Sequence, residues 1–258
     1  MAMPGSILLL DVGNSRLKWA LTTAARMPLG IVQALPHDGD PASTLASLAG
    51  QMVAPPQAVC IANVTGSAHE QALSQAVQQR WHCTPSFARS SAECGGLKSG
   101  YADAGRLGVD RWLAMLAVWT ETRAAFTVAS AGTAITFDAV DANGQHQGGL
   151  IAPGLAAMIA ATLGHTRFAV GEMAASFEQG LGRDTEACVR QGALHAAAGL
   201  LDRLAGQPHI RPTPDTGYRF VGHAPADWPA DRLRTAYAEF ADLLASRRDD
   251  KLLEASWV

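Results

Sequence analysis

Leu8-Leu9-Leu10-Asp11-Val12-Gly13-Asn14-Ser15-Arg16-Leu17-Lys18-Trp19 returns, in altered form, as Phe126-Thr127-Val128-Ala129-Ser130-Ala131-Gly132-Thr133-Ala134-Ile135-Thr136-Phe137-Asp138. Each copy is an apolar run, a tight turn with glycine and hydroxyl or amide side chains, and then an alternating run. That pattern predicts a β-hairpin whose turn offers backbone N–H groups to an anion. Two such hairpins, one per half of the chain, predict a nucleotide held between two related domains. The copies differ where it matters for charge: Asp11 in the first, Ser130 in the second.

Outward from the first hairpin, strands are expected at 7–11, 17–22 and 29–34 as an antiparallel meander. A helix follows over 40–51, with Asp40 as its cap and Pro41 at its first position. Residues 58–62 read as a strand, 67–81 as a helix and 84–88 as a strand. From 89 to 108 the pattern dissolves around five glycines, as in a functional or disordered loop. Helical order returns at 109–122, apolar on most faces and therefore buried or at an interface.

The second half repeats this order. Strands are expected at 125–129, 134–140 and 147–152, with Asp141-Ala142-Asn143-Gly144 as a turn. Helices follow at 155–162 and 184–204, then a strand at 218–221, a last helix near 230–245 and a short tail. Strands, then helices, then the same again predict duplicated α/β domains with a boundary near 122–125.

The composition narrows the function classes. The chain has 258 residues, 48% hydrophobic, with a net charge of −3. Lys and Arg are scattered, so no basic face for nucleic acid is expected. No apolar run approaches the roughly 18 residues needed to cross a bilayer, and a cytoplasmic protein is expected. Cys60, Cys83, Cys94 and Cys188 form no C-x-x-C pair, and His82-Cys83 with Cys94 fits no common zinc spacing. His37, Asp38 and Asp40 read as a solvated loop, and His165 and His195 as packing or surface residues.

In the first turn, Gly13 is expected to permit positive φ and close backbone approach. Asn14 and Ser15 add donors, Asp11 is placed to hold Mg²⁺, and Lys18 to reach a phosphate. An ordinary hairpin also favours Asn and Gly. The second turn repeats the backbone need at Gly132 and a hydroxyl at Thr133. At Leu107-Gly108-Val109-Asp110-Arg111-Trp112 a glycine loop meets a helix. There Asp110 is placed to accept a proton and Arg111 to fork onto an anion. The bland alternative is a carboxylate complementing the helix dipole beside a solvent-exposed Arg. Gly148-Gly149-Leu150-Ile151-Ala152-Pro153-Gly154 lets the chain pass close to a ligand, or is a plain strand–turn–helix joint.

Taken together, Asp11-x-Gly13-Asn14-Ser15, Gly108-x-Asp110-Arg111, Gly132-Thr133-Ala134-x-Thr136-x-Asp138 and Gly148-Gly149-x-Ile151-x-Pro153-Gly154 occur in the order of a known family. Across residues 7–221 the chain closely resembles the type III pantothenate kinases, also labelled Bvg accessory factor proteins. The resemblance implies an α/β fold of two ribonuclease H-like domains (actin/hexokinase/Hsp70 superfamily) around an ATP cleft. Those domains would be 1–123 and 124–258, with the last helix free to pack back on the first. It also implies a homodimer that phosphorylates pantothenate with ATP, the first step of coenzyme A synthesis. Carried over, Asp11, Val12, Gly13, Asn14, Ser15, Arg16, Leu17 and Lys18 hold ATP phosphates, with Asp11 on Mg²⁺, and Gly132 and Thr133 contact ATP. Tyr101, Gly108, Val109, Asp110, Arg111 and Thr185 bind pantothenate, and Asp110 accepts the proton.

Two departures stand out. The family usually carries Asp at the position of Ser130, where it binds a monovalent cation such as K⁺ or NH₄⁺. A neutral hydroxyl is a far poorer ligand for one. The late Gly-Gly-Asp/Asn-Ala signature reads Gly222-His223-Ala224 here, which loosens inference about the base pocket. The alternatives are a related kinase acting on another small hydroxylated substrate, or a catalytically impaired nucleotide-binding protein that acts through partners.

Overall fold

The computed structural model describes residues 6–23, 32–37, 39–50, 52, 54–165, 181–205, 218–222 and 253–255. The chain forms two compact units, Met1–Ser91 with Asp103–Leu113, and Ala92–Ala102 with Ala114–Val258.

In the first unit, alternation along β1 (Ser6–Val12) buries Leu8, Leu10 and Val12 and turns Leu9 and Asp11 to the other face. β2 (Arg16–Thr23) returns antiparallel, pairing Val12 with Leu17 and Asp11 with Lys18. β3 (Gln33–Pro36) completes the meander; of the strand expected at 29–34, residues 29–31 lie outside the described residues, and the strand runs on to Pro36. β4 (Ala58–Asn63) and β5 (Ser86–Phe87) join parallel, giving the order β3-β2-β1-β4-β5. Leu45 and Leu48 of α1 (Pro41–Ala49), and Leu73 and Val77 of α2 (Ser67–Trp81), close the core over Leu8, Leu10, Val12, Leu17, Trp19, Val59 and Ile61. Truncating any of these leucines to alanine would cost about 2–5 kcal/mol. Asp40 caps α1 as expected, its Oδ1 accepting from Ser43 N–H at 3.1 Å, with Pro41 following.

The second unit carries the same topology. β8 (Phe126–Ala131), β9 (Ala134–Val140) and β10 (His146–Pro153) form an antiparallel meander. β11 (Tyr218–Gly222) and β12 (Leu253–Ala255) add parallel strands, in the order β10-β9-β8-β11-β12. Each sheet thus runs third, second, first, fourth, fifth strand. Ile135, Phe137 and Ala139 pack against Ala197, Leu201 and Leu204 of α5 (Thr185–Ala205), with Leu155 and Met158 of α4 (Leu155–Gly164) beside them. The short tail expected at the end contributes β12; the helix expected near 230–245 lies outside the described residues.

The glycine-rich stretch is ordered where irregular structure was expected. β6 (Glu93–Cys94) and β7 (Leu97–Lys98) form a small hairpin, with Gly95 and Gly96 at φ 56° and 85°. Positive φ at both central residues is the geometry of a tight hairpin turn, for which glycine is suited. A 3-10 turn at Ala104–Arg106, capped by Asp103, precedes α3 (Val109–Thr122), whose bounds match the expectation.

Candidate active site

The first hairpin is built by sheet register. Lys18 Nζ donates to Asp11 Oδ2 at 2.8 Å, a cross-strand ion pair with Asp11 37% and Lys18 17% exposed. Gly13 N–H donates to Arg16 O at 3.0 Å and closes the turn, leaving Asn14 and Ser15 exposed at its tip. Val12 and Leu17 are buried core residues.

Gly13 corrects one expectation: its φ is not in the left-handed region, and neither is that of Gly132. A Cβ on Gly13 would meet only Arg16 O, at 3.5 Å, and one on Gly132 only Ala134 O, at 3.9 Å. The chain itself therefore makes little demand for glycine at either turn. Close approach of a ligand is the remaining physical reason for a bare backbone there.

His37 was expected in a solvated loop and is buried instead. Its Nε2–H donates to Gly13 O at 2.7 Å, and its backbone N–H donates to Ser15 O at 3.1 Å. The cause is the meander: β2 and β3 pair Arg16 with Pro36, which brings residue 37 beside the turn. No local pattern in the sequence pointed to it.

The second hairpin repeats the placement with different charge. Ser130 lies opposite Thr136, where the first hairpin sets Asp11 opposite Lys18. Both members of the ion pair are thus replaced by neutral hydroxyls. Gly132 N–H donates to Ala134 O at 3.0 Å, and Thr133 is exposed. Gly154 sits against this turn, its N–H donating to Thr133 O at 3.1 Å. A Cβ on Gly154 would fall 2.1 Å from Gly132 O and 2.7 Å from Thr133 O. Of the two readings of the Gly148–Gly154 motif, the strand–turn–helix joint accounts for Gly154, which packs on its own chain.

Gly108-Val109-Asp110-Arg111 opens α3. Asp110 is exposed, and its Oδ1 accepts from the Arg111 N–H at 2.8 Å. Arg111 is buried, which argues against the bland alternative of a solvent-exposed side chain, and Val109 belongs to the core. A Cβ on Gly108 would lie 2.7 Å from Asp110 Oδ1, so the glycine makes room for the carboxylate. Tyr101 belongs to the second unit, where its ring stacks on His146. Thr185 is the exposed first residue of α5, and Asp184 Oδ1 caps that helix by accepting from Ala187 N–H at 2.7 Å.

The donor set suits a nucleotide with its metal. Among the described residues no three His, Cys, Asp or Glu side chains gather as a metal cage. A magnesium ion at Asp11 would take its other ligands from phosphate oxygens and water, the usual habit of that ion. Ser130 and Thr136 present hydroxyls only, a weak set for a monovalent cation. Among the described residues no helix is long and apolar enough to cross a membrane.

Comparison with known proteins bears on the family of the chain. Residues 7–207 match the family model described as type III pantothenate kinase. A type III pantothenate kinase of Nitrosococcus oceani is 31% identical over 245 residues, covering 92% of this chain and 90% of the relative. That of Cellvibrio japonicus is 37% identical over 204 residues, 77% of each chain. Among solved structures, a Baf family protein from Campylobacter jejuni superposes with TM-score 0.52 at 19% identity, over 97% of this chain and 90% of that one. The ethanolamine utilization protein EutJ from Carboxydothermus hydrogenoformans also gives 0.52, at 10% identity over 99% and 85%. These two likenesses bear on the fold alone, a mixed α/β architecture. With the family model spanning most of its length and such relatives in the same span, the chain belongs to the type III pantothenate kinase family.

Proposed function

We propose that this protein transfers the γ-phosphoryl group of ATP to the primary hydroxyl of pantothenate, giving 4'-phosphopantothenate at the start of coenzyme A synthesis. The observation that carries the reading is that the span matched to the family contains all four motifs, with Asp11 and Lys18 paired across a hairpin whose glycine is bare.

Phosphoryl transfer asks for alignment and charge neutralisation rather than covalent chemistry by the protein. The turn Gly13-Asn14-Ser15 would cradle phosphate oxygens, with Arg16 beside it and Val12 and Leu17 anchoring it from the core. His37 would hold the turn in shape through Gly13 O. Lys18 would lie against the phosphates and leave Asp11 to carry Mg²⁺, which supplies charge neutralisation at the γ-phosphoryl when bound. Gly132 and Thr133 are assigned to ATP in the second unit.

Pantothenate is assigned to Tyr101, Gly108, Val109, Asp110, Arg111 and Thr185. Asp110 would receive the proton of the attacking hydroxyl, its carboxylate oriented by the Arg111 N–H. Domains 1–123 and 124–258, a homodimer and a cytoplasmic location complete the proposal, with no role for nucleic acid or membrane. The neutral Ser130–Thr136 pair supports turnover without a K⁺ or NH₄⁺ requirement.

ADP release measured with and without pantothenate tests the reading. Stimulation by pantothenate supports it. ATP binding without turnover would favour a nucleotide-binding protein acting through partners, and turnover only with another acceptor would favour a different kinase.

A further inference from the structure

A buried His–Asp pair in the second unit has no part in the roles assigned so far. Asp138 lies in β9 and His146 begins β10, their side chains 2% and 0% exposed. His146 Nε2–H donates to Asp138 Oδ1 at 3.0 Å. With the proton on Nε2, Nδ1 presents a lone pair, and Gly100 N–H donates to it at 3.4 Å. The Tyr101 ring stacks on the imidazole, 6.0 Å between centroids and 13° from parallel, within the range of favourable aromatic pairs.

The rest of the 92–102 arm is fastened beside the same residue. Lys98 N–H donates to Gly144 O at 2.8 Å, and Gln145 Nε2 donates to Ser99 O at 3.3 Å. Gly100 approaches so closely that a Cβ there would fall 2.2 Å from His146 O. A buried polar pair is a poor source of net stability compared with apolar residues of the same shape. What this pair does supply is one ring orientation and one tautomer, each read by the arm.

We propose that His146, oriented by Asp138, is a positioning residue that sets the pose of Tyr101 and thereby the affinity for pantothenate; this rests on the assignment of Tyr101 to that substrate. The test compares Tyr101→Ala, the double variant Asp138→Leu with His146→Phe, and Asp138→Asn in the full chain. The double variant swaps the pair for apolar groups of similar shape, which is near neutral for stability, and keeps a ring while deleting the acceptor for Gly100. His146→Gln, which can still donate to Asp138, is made alongside in case the double variant does not fold.

The readouts are KM for pantothenate, KM for ATP, and hydrogen exchange of the amides in 97–102. The double variant and His146→Gln should raise pantothenate KM about two- to tenfold, the size of one lost hydrogen bond. KM for ATP should hold, and the Gly100 amide should exchange faster. Asp138→Asn, whose Oδ1 still accepts from Nε2–H, should stay near the parent protein.

Unchanged exchange in the arm overturns the inference. So does an unchanged pantothenate KM where Tyr101→Ala raises it, or a parallel rise in both KM values. If Tyr101→Ala itself leaves pantothenate KM unchanged, the assignment of Tyr101 falls. The exchange measurement then decides by itself whether His146 holds the arm.

Discussion

Gly13→Ala separates a glycine kept for the fold from one kept for a ligand. The added methyl would touch only Arg16 O, at 3.5 Å, an ordinary van der Waals distance, and the backbone is not in the left-handed region. On the folding side, a Gly→Ala change at such a site stabilises by about 0.4–1 kcal/mol, through the lower entropy of the unfolded chain. For a chain of this size that raises Tm by about 1–4 °C, at roughly 2–4 °C per kcal/mol. On the functional side, a methyl group in the wall of the turn keeps phosphate oxygens from the backbone donors. Losing one charge-assisted hydrogen bond costs about 1.5–3 kcal/mol, and each 1.36 kcal/mol is about tenfold. The expected result is a fall in kcat/KM for ATP of about 10- to 150-fold in a protein that melts no earlier than its parent. Thermal melts and an ATP titration at saturating pantothenate give both numbers. Unchanged ATP kinetics would refute the assignment of this turn to phosphate, and a Tm lowered by several degrees would refute the packing argument.

Gly154→Ala should behave in the opposite way, because its Cβ would fall 2.1 Å from Gly132 O. Overpacking and the strained hydrogen bond to Thr133 O together cost about 2–4 kcal/mol, visible as a lower Tm; an unchanged Tm would contradict the close approach. Asp110→Asn should keep the fold and lower kcat about a hundredfold to ten-thousandfold, the usual contribution of a general base, and near-normal turnover would remove Asp110 from that role. Turnover in K⁺, NH₄⁺ and Na⁺ at equal ionic strength should differ little, given Ser130 opposite Thr136; a strong K⁺ requirement would show that other oxygens supply a cation site. Burial pushes the Cys83 thiol above its ordinary pKa, against a smaller opposing effect of a backbone hydrogen bond. Its thiolate fraction at pH 8 is therefore reduced, so in a time course of thiol labelling followed by peptide mapping the exposed Cys94 and Cys188 should react first.

How much of the site could be read from the chain follows from the range of each interaction. Alternation of Leu8, Leu10 and Val12 with Leu9 and Asp11 already turns the carboxylate away from the core. The Gly-containing turn then brings Lys18 back opposite it. Both are consequences of a two-residue period and a short connection, so a window of a dozen residues contains them. The same holds for Asp40 and Pro41 at the start of α1, and for the bounds of α2 and α3. The placement of Asp110 at a helix start was visible for the same reason, whereas the burial of Arg111 beside it was not, since burial depends on what packs over the helix.

What only the tertiary structure decided lies at longer range. Gly13 meets His37 across 24 residues, and Gly100 meets His146 across 46. Composition made His37 look solvated and the 89–108 stretch look irregular, because polar and glycine residues carry no periodicity of their own. Sheet register placed the one beside the turn of the first hairpin, and the β9–β10 hairpin gave the arm its partners. The duplicated turn was evident in the sequence itself, down to the exchange of Asp11 for Ser130. That the exchange removes a whole ion pair, with Thr136 standing where Lys18 does, is a fact of strand pairing. Local patterning determines which way a side chain faces, and chain closure determines what it finds there.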